Sequence, residues 1–227
     1  MVSILQISPQ KTPAESLFVH YPTPTIETPP LSRLVLFCFA ATSLTAFAGE
    51  RPSAIASESV WSNLEEGKVE ILHSETPPSK GDDRHVIAAI LIDHPVKAVW
   101  DVIEDKESAS EYIKDLKSAT IIEDQGDYQL VEQKLKIGPL PTFTYVIKHE
   151  ATPPHRVDFN RVSGDLKNVE GYWEFHPLDR GTKTLLIYSL EIAPGIPVPP
   201  FIIKNSMKKS LPEALRAVKA RVENLEQ

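Results

Sequence analysis

The sequence predicts an α+β fold in which an antiparallel meander of strands precedes one long amphipathic helix. From Leu116 onward apolar residues recur with a period of two in six separate runs, with turn-forming joints between them. The chain then ends in an apolar stripe at helical spacing. The 227 residues are 41% hydrophobic and 24% charged, enough apolar content for a real core. Basic residues number 24 against 31 acidic, a net charge of −7. That balance counts against nucleic-acid binding, which needs a basic surface to neutralise phosphates. One cysteine makes neither an internal disulfide nor a Cys-rich zinc site. Collagen-like, coiled-coil and multi-span membrane classes fail on composition.

The first fifty residues stand outside this pattern. Residues 1–30 carry six prolines and no sustained period, and are expected to be disordered or not translated at all. Residues 31–48 read as a signal peptide: Arg33 supplies the positive region, Leu34 to Leu44 the apolar region, and Ala46-Phe47-Ala48 the small-residue cleavage site. Cleavage after Ala48, export to the periplasm and a true start between Leu31 and Val35 at a non-AUG codon are the expectations. The alternative is an uncleaved anchor, but Leu34 to Ala48 is only 15 residues, and a span needs about 20. Cys38 falls inside the apolar region, so the mature chain carries no cysteine, as an oxidising compartment permits.

Residues 49–66 form a lead-in turn or short helix around Trp61, and residues 67–227 the main domain. Val69 to His73 reads as a strand, closed by the polar turn from Thr76 to Asp83. His85 to Ile92 is a second strand, apolar enough to lose its alternation. Asp93-His94-Pro95 starts a helix, with Asp93 or His94 as cap and Pro95 as the first helical residue, where its missing N–H costs nothing. Its stripe is Val96, Val99, Trp100 and Ile103, and a second short helix from Ser108 carries Tyr112 and Ile113. The six further strands are Ser118–Glu123, Tyr128–Ile137, Phe143–Glu150, His155–Val162, Val169–Phe175 and Thr184–Ile192. Gly, Pro and Asp at the joints favour hairpins. After Pro199-Pro200 the last helix places Ile203, Met207, Leu211, Leu215, Val218, Val222 and Leu225 on one side. Pro212 removes one backbone bond and should bend it.

Three segments carry a family resemblance. They are Ile92-Asp93-His94-Pro95-Val96-Lys97-Ala98-Val99-Trp100, the Gly-Asp turn and aromatic strand from Gly164 to Trp173, and Leu211-Pro212-Glu213-Ala214-Leu215. In this order the chain resembles START-like (SRPBCC) domains over residues 68–225, and is similar to their polyketide cyclase/dehydrase and coenzyme Q-binding branch. The resemblance implies a helix-grip (START-like/Bet v 1-like) fold. There the sheet wraps around the C-terminal helix and leaves an apolar cavity between them. Lining candidates are Trp100, Tyr112, Tyr145, Phe159, Trp173, Tyr188, Met207 and Leu211.

Strand direction adds a further expectation. The turns at Gly138–Pro141, Ser163–Lys167 and Pro194–Pro200 follow alternate strands and so share one end of the sheet. The first and last are apolar, so Leu140, Ile196, Val198 and Phe201 are candidates for docking a membrane or partner, with Lys204 and Lys208 facing anionic headgroups. Alternatively these loops fold inward and cap the sheet.

Catalytic signals are sparse. His73, His85, His94, His149, His155 and His176 show no metal-ligand spacing, and His149 and His155 bracket a Pro-Pro turn in a way that reads as chance. Ser163-Gly164 lacks the preceding glycine of a nucleophile elbow. If Trp173 and Phe175 face the helix, parity turns Glu170 and Glu174 to solvent. Asp165 reads as turn chemistry. No catalytic residue, metal or cofactor is implied. The expected function is an exported carrier of a lipid or isoprenoid quinone, with transient contact at a membrane surface and no nucleic acid. The alternative is an aromatase/cyclase acting on a polyketide-like substrate, which would need a polar group deep in the cavity with a shifted pKa. Acidic charge and export count against a third reading, the family's ribosome-associated toxin branch.

Overall fold

A computed structural model of the protein describes residues 55, 57–72, 85–136, 138 and 140–225. The expected signal segment, Cys38, His73 and the turn from Thr76 to Asp83 lie outside the described residues. In chain order the elements are α1 (Glu58–Glu65), β1 (Glu70–Leu72), β2 (His85–Ile92), α2 (Val96–Glu104), α3 (Ala109–Tyr112) and β3 (Leu116–Asp124). There follow β4 (Tyr128–Lys136), β5 (Thr142–Thr152), β6 (Arg156–Gly164), β7 (Asn168–Leu178), β8 (Lys183–Ala193) and α4 (Pro200–Leu225). The strands form one antiparallel sheet in the order β1-β2-β8-β7-β6-β5-β4-β3. This is the helix-grip arrangement. The consecutive strands β3 to β8 are the meander that the joints demanded, and β2 closes onto β8 only after the chain has made the whole circuit.

β2 lacks alternation because both of its faces are buried. Val86, Ala88, Ile90 and Ile92 belong to the main core with α4, whereas Ala89 and Leu91 join Ile55, Leu64, Leu185 and Ile187 in a smaller cluster under α1. A strand covered on both sides gains from apolar residues at every position. The lead-in is thus a helix whose Leu64 seals the outer face of the sheet.

Two expectations are corrected locally. Pro95, and not Asp93 or His94, is the N-cap residue of α2, and it is not the first helical residue. Asp93 instead pairs with Lys183 at 3.0 Å, and the carbonyl of His94 accepts from the Thr184 hydroxyl at 2.8 Å. Both contacts pin the start of α2 to β8. Leu225 is 63% exposed, so the buried stripe of α4 ends at Val222. Pro212 lies inside α4, and the helix continues past it to Leu225. Asp165 acts as turn chemistry: its carboxylate accepts from the Thr144 backbone N–H at 2.7 Å, while its own N–H donates to the Thr144 carbonyl at 2.8 Å. The β6–β7 turn is thereby tied to the start of β5.

Candidate functional site

Parity on the inner strands decides which side chains meet α4. On β5, Phe143, Tyr145, Ile147 and His149 alternate into the interior, and on β7 Val169, Trp173 and Phe175 do the same. Two apolar chambers remain between these side chains and the helices. The larger holds about 120 Å³. Tyr145, Ile147 and His149 of β5, Phe159 of β6, Trp173 of β7 and Tyr188, Leu190 and Ile192 of β8 form its walls. Ile103, Lys106, Ala109, Tyr112 and Ile113 close it from the α2–α3 side. The smaller chamber, about 80 Å³, shares Ile113, Leu135, Tyr188, Leu190 and Ile192 and lies against Ser206, Met207, Ser210 and Leu211 of α4. Next to it is a groove bordered by Lys114, Lys117, Lys136 and Lys209. Chamber and groove have Lys114, Asp115, Ser206, Ser210 and Glu213 in common. The apolar space therefore continues toward a basic rim on a protein that is acidic overall.

Aromatic packing shapes the larger chamber. Trp173 and Tyr188 are directly opposite in the β7–β8 register and stack at 3.7 Å with planes 3° apart. Phe159 stands 6.3 Å from Tyr188 and 5.8 Å from the His149 ring. Gly171, opposite Phe159 across β6–β7, leaves the room in which that ring sits.

The structure brings Tyr112, Tyr145, Phe159, Trp173 and Tyr188 to the larger chamber and Met207 and Leu211 to the smaller. Trp100 is a correction. It packs on Phe175 with ring centroids 5.1 Å apart and lines neither chamber, so its role is core packing. The apolar loop residues divide. Leu140 and Val198 pack against the main core, as the inward-folding alternative foresaw, while Ile196 is 42% and Phe201 62% exposed. Lys208 is exposed and Lys204 partly buried beside them on the first turns of α4. The three turns do share one end. Gly195 approaches Lys167 and Asp165, and Gly138 approaches Ser206.

Polar groups in the larger chamber are few, and burial dominates each. The Tyr112 hydroxyl donates to the Val102 carbonyl at 3.1 Å, and burial, helped by the Asp105 charge, pushes its pKa up to about 12. The Tyr145 hydroxyl donates to Gln133 Oε1 at 2.8 Å; burial raises its pKa and that of Tyr188 well above the ordinary phenol value. Lys106, only 5% exposed, pairs with Glu104 at 3.0 Å. His149 is the residue that sequence reasoning passed over. It is 8% exposed, and burial, with the Lys106 charge acting in the same direction, pushes its pKa down to about 3. Its signal was its even spacing from Tyr145 along β5, which the proximity of the Pro-Pro turn obscured. The chamber can therefore bury an apolar body and hydrogen-bond to it at one place. At neutral pH it presents an uncharged imidazole too weakly basic for efficient general-base work.

The class this fold and interior define is an α+β protein with an apolar chamber beneath its C-terminal helix. The sequence profile of the family described as polyketide cyclase/dehydrase and lipid transport matches residues 92–219, more than half of the chain. The chain belongs to this START-like family. Solved structures agree on the fold. TTHA0849 from Thermus thermophilus is 20% identical with a TM-score of 0.58, the match covering 63% of this chain and 99% of that one. The ZhuI aromatase/cyclase from a Streptomyces species is 16% identical at TM-score 0.55, covering 63% of this chain and 96% of that one. A STAR-related lipid transfer protein from Xanthomonas axonopodis is 14% identical at TM-score 0.56, covering 68% and 92%. No curated protein matches the sequence.

Proposed function

We propose that this protein binds and carries a hydrophobic molecule, a lipid or a prenylated ring, whose apolar part occupies the two chambers. The observation that carries this reading is the aromatic-walled space that continues from the Trp173–Tyr188 stack to the lysine-bordered groove. Burial of apolar surface, at roughly 25 cal/mol per Å², supplies the affinity without many polar contacts. A cavity near 150 Å³ admits a benzene-sized ring, so the larger chamber takes one ring or a short alkyl segment. A longer tail extends through the smaller chamber toward the groove. Relatives whose names include both lipid transfer and aromatase/cyclase share the fold. The carrier reading is favoured because apolar and aromatic side chains make up most of the walls of both chambers. Export, with delivery in the periplasm, belongs to the same proposal and rests on the residues from Arg33 to Ala48. Edman sequencing of the host's own product should begin at Gly49.

Ala109 tests the binding reading, because it lines the larger chamber from α3 and a bulky side chain there fills the space. Wild-type protein mixed with lipid vesicles and examined by native mass spectrometry should carry a bound lipid or quinone, and Ala109→Trp should carry about tenfold less. Equal loading of the two proteins, or none on the wild type, rejects the chamber as the ligand site.

Docking at a membrane completes the carrier reading. Phe201 and Ile196 lie exposed at the end where the turns converge, with Lys204, Lys208 and Lys209 on the following helical turns. The contact proposed is peripheral, made by side chains at this end of the sheet; among the described residues no helix is long and apolar enough to cross a membrane. Ile196→Asp combined with Phe201→Asp should abolish co-sedimentation with anionic liposomes and leave Tm unchanged, since both side chains sit outside the core. Wild-type binding should weaken with salt, as charge attraction to a lipid surface does. Undiminished sedimentation of the double variant would reject this surface.

A further inference from the structure

We propose that the larger chamber takes a ligand bearing a ring hydroxyl, which hydrogen-bonds to the imidazole of His149 while its ring lies against Phe159 and Ile147. The inference rests on the chamber being the ligand site, as proposed above. Its starting point is a polar group with no protein partner: Nδ1 and Nε2 of His149 are both buried, and neither is hydrogen-bonded. An uncharged imidazole has one N–H donor and one bare nitrogen acceptor, and leaving such groups unpaired inside a protein is costly. His149 could have been exchanged for an apolar residue at no loss of packing if filling the interior were its only task.

Three of the other polar groups lining the chamber already have partners within the protein. The Tyr145 hydroxyl is engaged with Gln133, the Tyr112 hydroxyl with the Val102 carbonyl and Lys106 with Glu104. A partner must therefore arrive with whatever fills the space. Three oxygen groups are available to a hydrophobic ligand. A carbonyl can only accept, so it serves the N–H and leaves the bare nitrogen unmet. A carboxylate brings an anion into an apolar chamber where Lys106 is already paired with Glu104, and it must shed its hydration to enter. A hydroxyl can either donate to the bare nitrogen or accept from the N–H, so it pairs with whichever edge of the imidazole faces the chamber. The volume of about 120 Å³ limits the part held in this chamber to a single ring. The His149 and Phe159 rings, 5.8 Å apart and tilted by 43°, offer that ring an aromatic wall beside the hydrogen-bonding edge.

Phenol and toluene are matched probes, equal in shape and different in one hydrogen-bonding group. Each is titrated calorimetrically into the full chain as wild type, His149→Leu and His149→Phe, the two substitutions guarding against failure of either variant to fold. Wild type should bind phenol at least as tightly as toluene, although phenol must leave better hydration behind. The apolar variants should lose about tenfold in phenol affinity and keep toluene affinity within about threefold. Toluene binding with phenol tenfold weaker on the wild type would overturn the inference and leave the hydrophobic chamber standing. Equal losses for both probes in the variants would assign His149 to packing and likewise overturn it. If the wild type binds neither probe, the chamber is not a ligand site, and both readings fall together.

Discussion

At pH 4 the His149→Leu protein should be more stable than wild type by about 3 kcal/mol beyond any difference measured at pH 7.5. The reason lies in where the proton goes. In the unfolded chain His149 has the ordinary pKa of 6.5, and in the folded protein burial and the Lys106 charge hold it near 3. On acidification from pH 6.5 the unfolded chain takes up a proton that the folded one refuses. Wild-type stability is therefore fully present above 6.5 and is drained by about 1.4 kcal/mol per pH unit below it. The loss levels off near pH 3, where the folded form protonates too, at a ceiling of about 5 kcal/mol. The groups facing the ring are Lys106, itself paired with Glu104, and the uncharged Phe159. Carboxylates elsewhere also respond to acid, but they do so in both proteins and cancel in the difference. Urea unfolding at half-unit steps from pH 7.5 to 3.5 gives the two profiles. Parallel curves would mean that the imidazole is hydrated in the fold and that the chamber is wetter than its walls suggest.

Fold and site were legible to different depths, and the differences have physical causes. The meander could be read because each hairpin is written locally, in two-residue periods and turn residues such as Ser163-Gly164-Asp165. The pairing of β2 with β8 could not be read from the residues, since nothing local names a partner a hundred positions away. Chamber candidates on strands came from the family resemblance, and Tyr145, Phe159, Trp173 and Tyr188 all line the larger space. Trp100 was misplaced because a helical stripe shows which residues face inward but not which inward neighbour they meet, and Phe175 lies there. His149 was missed for the opposite reason. Its parity with Tyr145 was plain, but a histidine near a Pro-Pro turn looks like loop chemistry. Only the three-dimensional count of partners shows two nitrogens without one. The apolar loops were ambiguous in sequence because capping and docking both call for apolar residues. The structure divides them, with Leu140 and Val198 inward and Ile196 and Phe201 outward.

Gly171→Ala should destabilise the protein by about 3 kcal/mol or more, and should dismantle the chamber as it does so. The backbone conformation at Gly171 is one that any residue adopts, so the cost is one of space. A Cβ built there would lie 2.0 Å from the Ser189 carbonyl oxygen and 2.8 Å from Phe159 Cζ. The carbonyl cannot yield, because Ser189 lies inside β8 between the β2 and β7 ladders. Its hydroxyl is also tied to His85 Nε2 at 2.7 Å. Relief must come from parting β7 from β8 or from expelling the Phe159 ring. The first strains the register that stacks Trp173 on Tyr188, and the second removes one wall of the larger chamber. Either way the near-ultraviolet circular dichroism of the stacked aromatics should weaken, and ligand uptake should fall with it. Gly126→Ala is the control. Its Cβ meets nothing within 4 Å but its φ is +84°, so it should cost only about 1 kcal/mol through backbone strain and leave the aromatic signal intact. If Gly171→Ala matched the control in denaturant midpoint and in spectrum, the close β7–β8 approach that frames the chamber would be refuted.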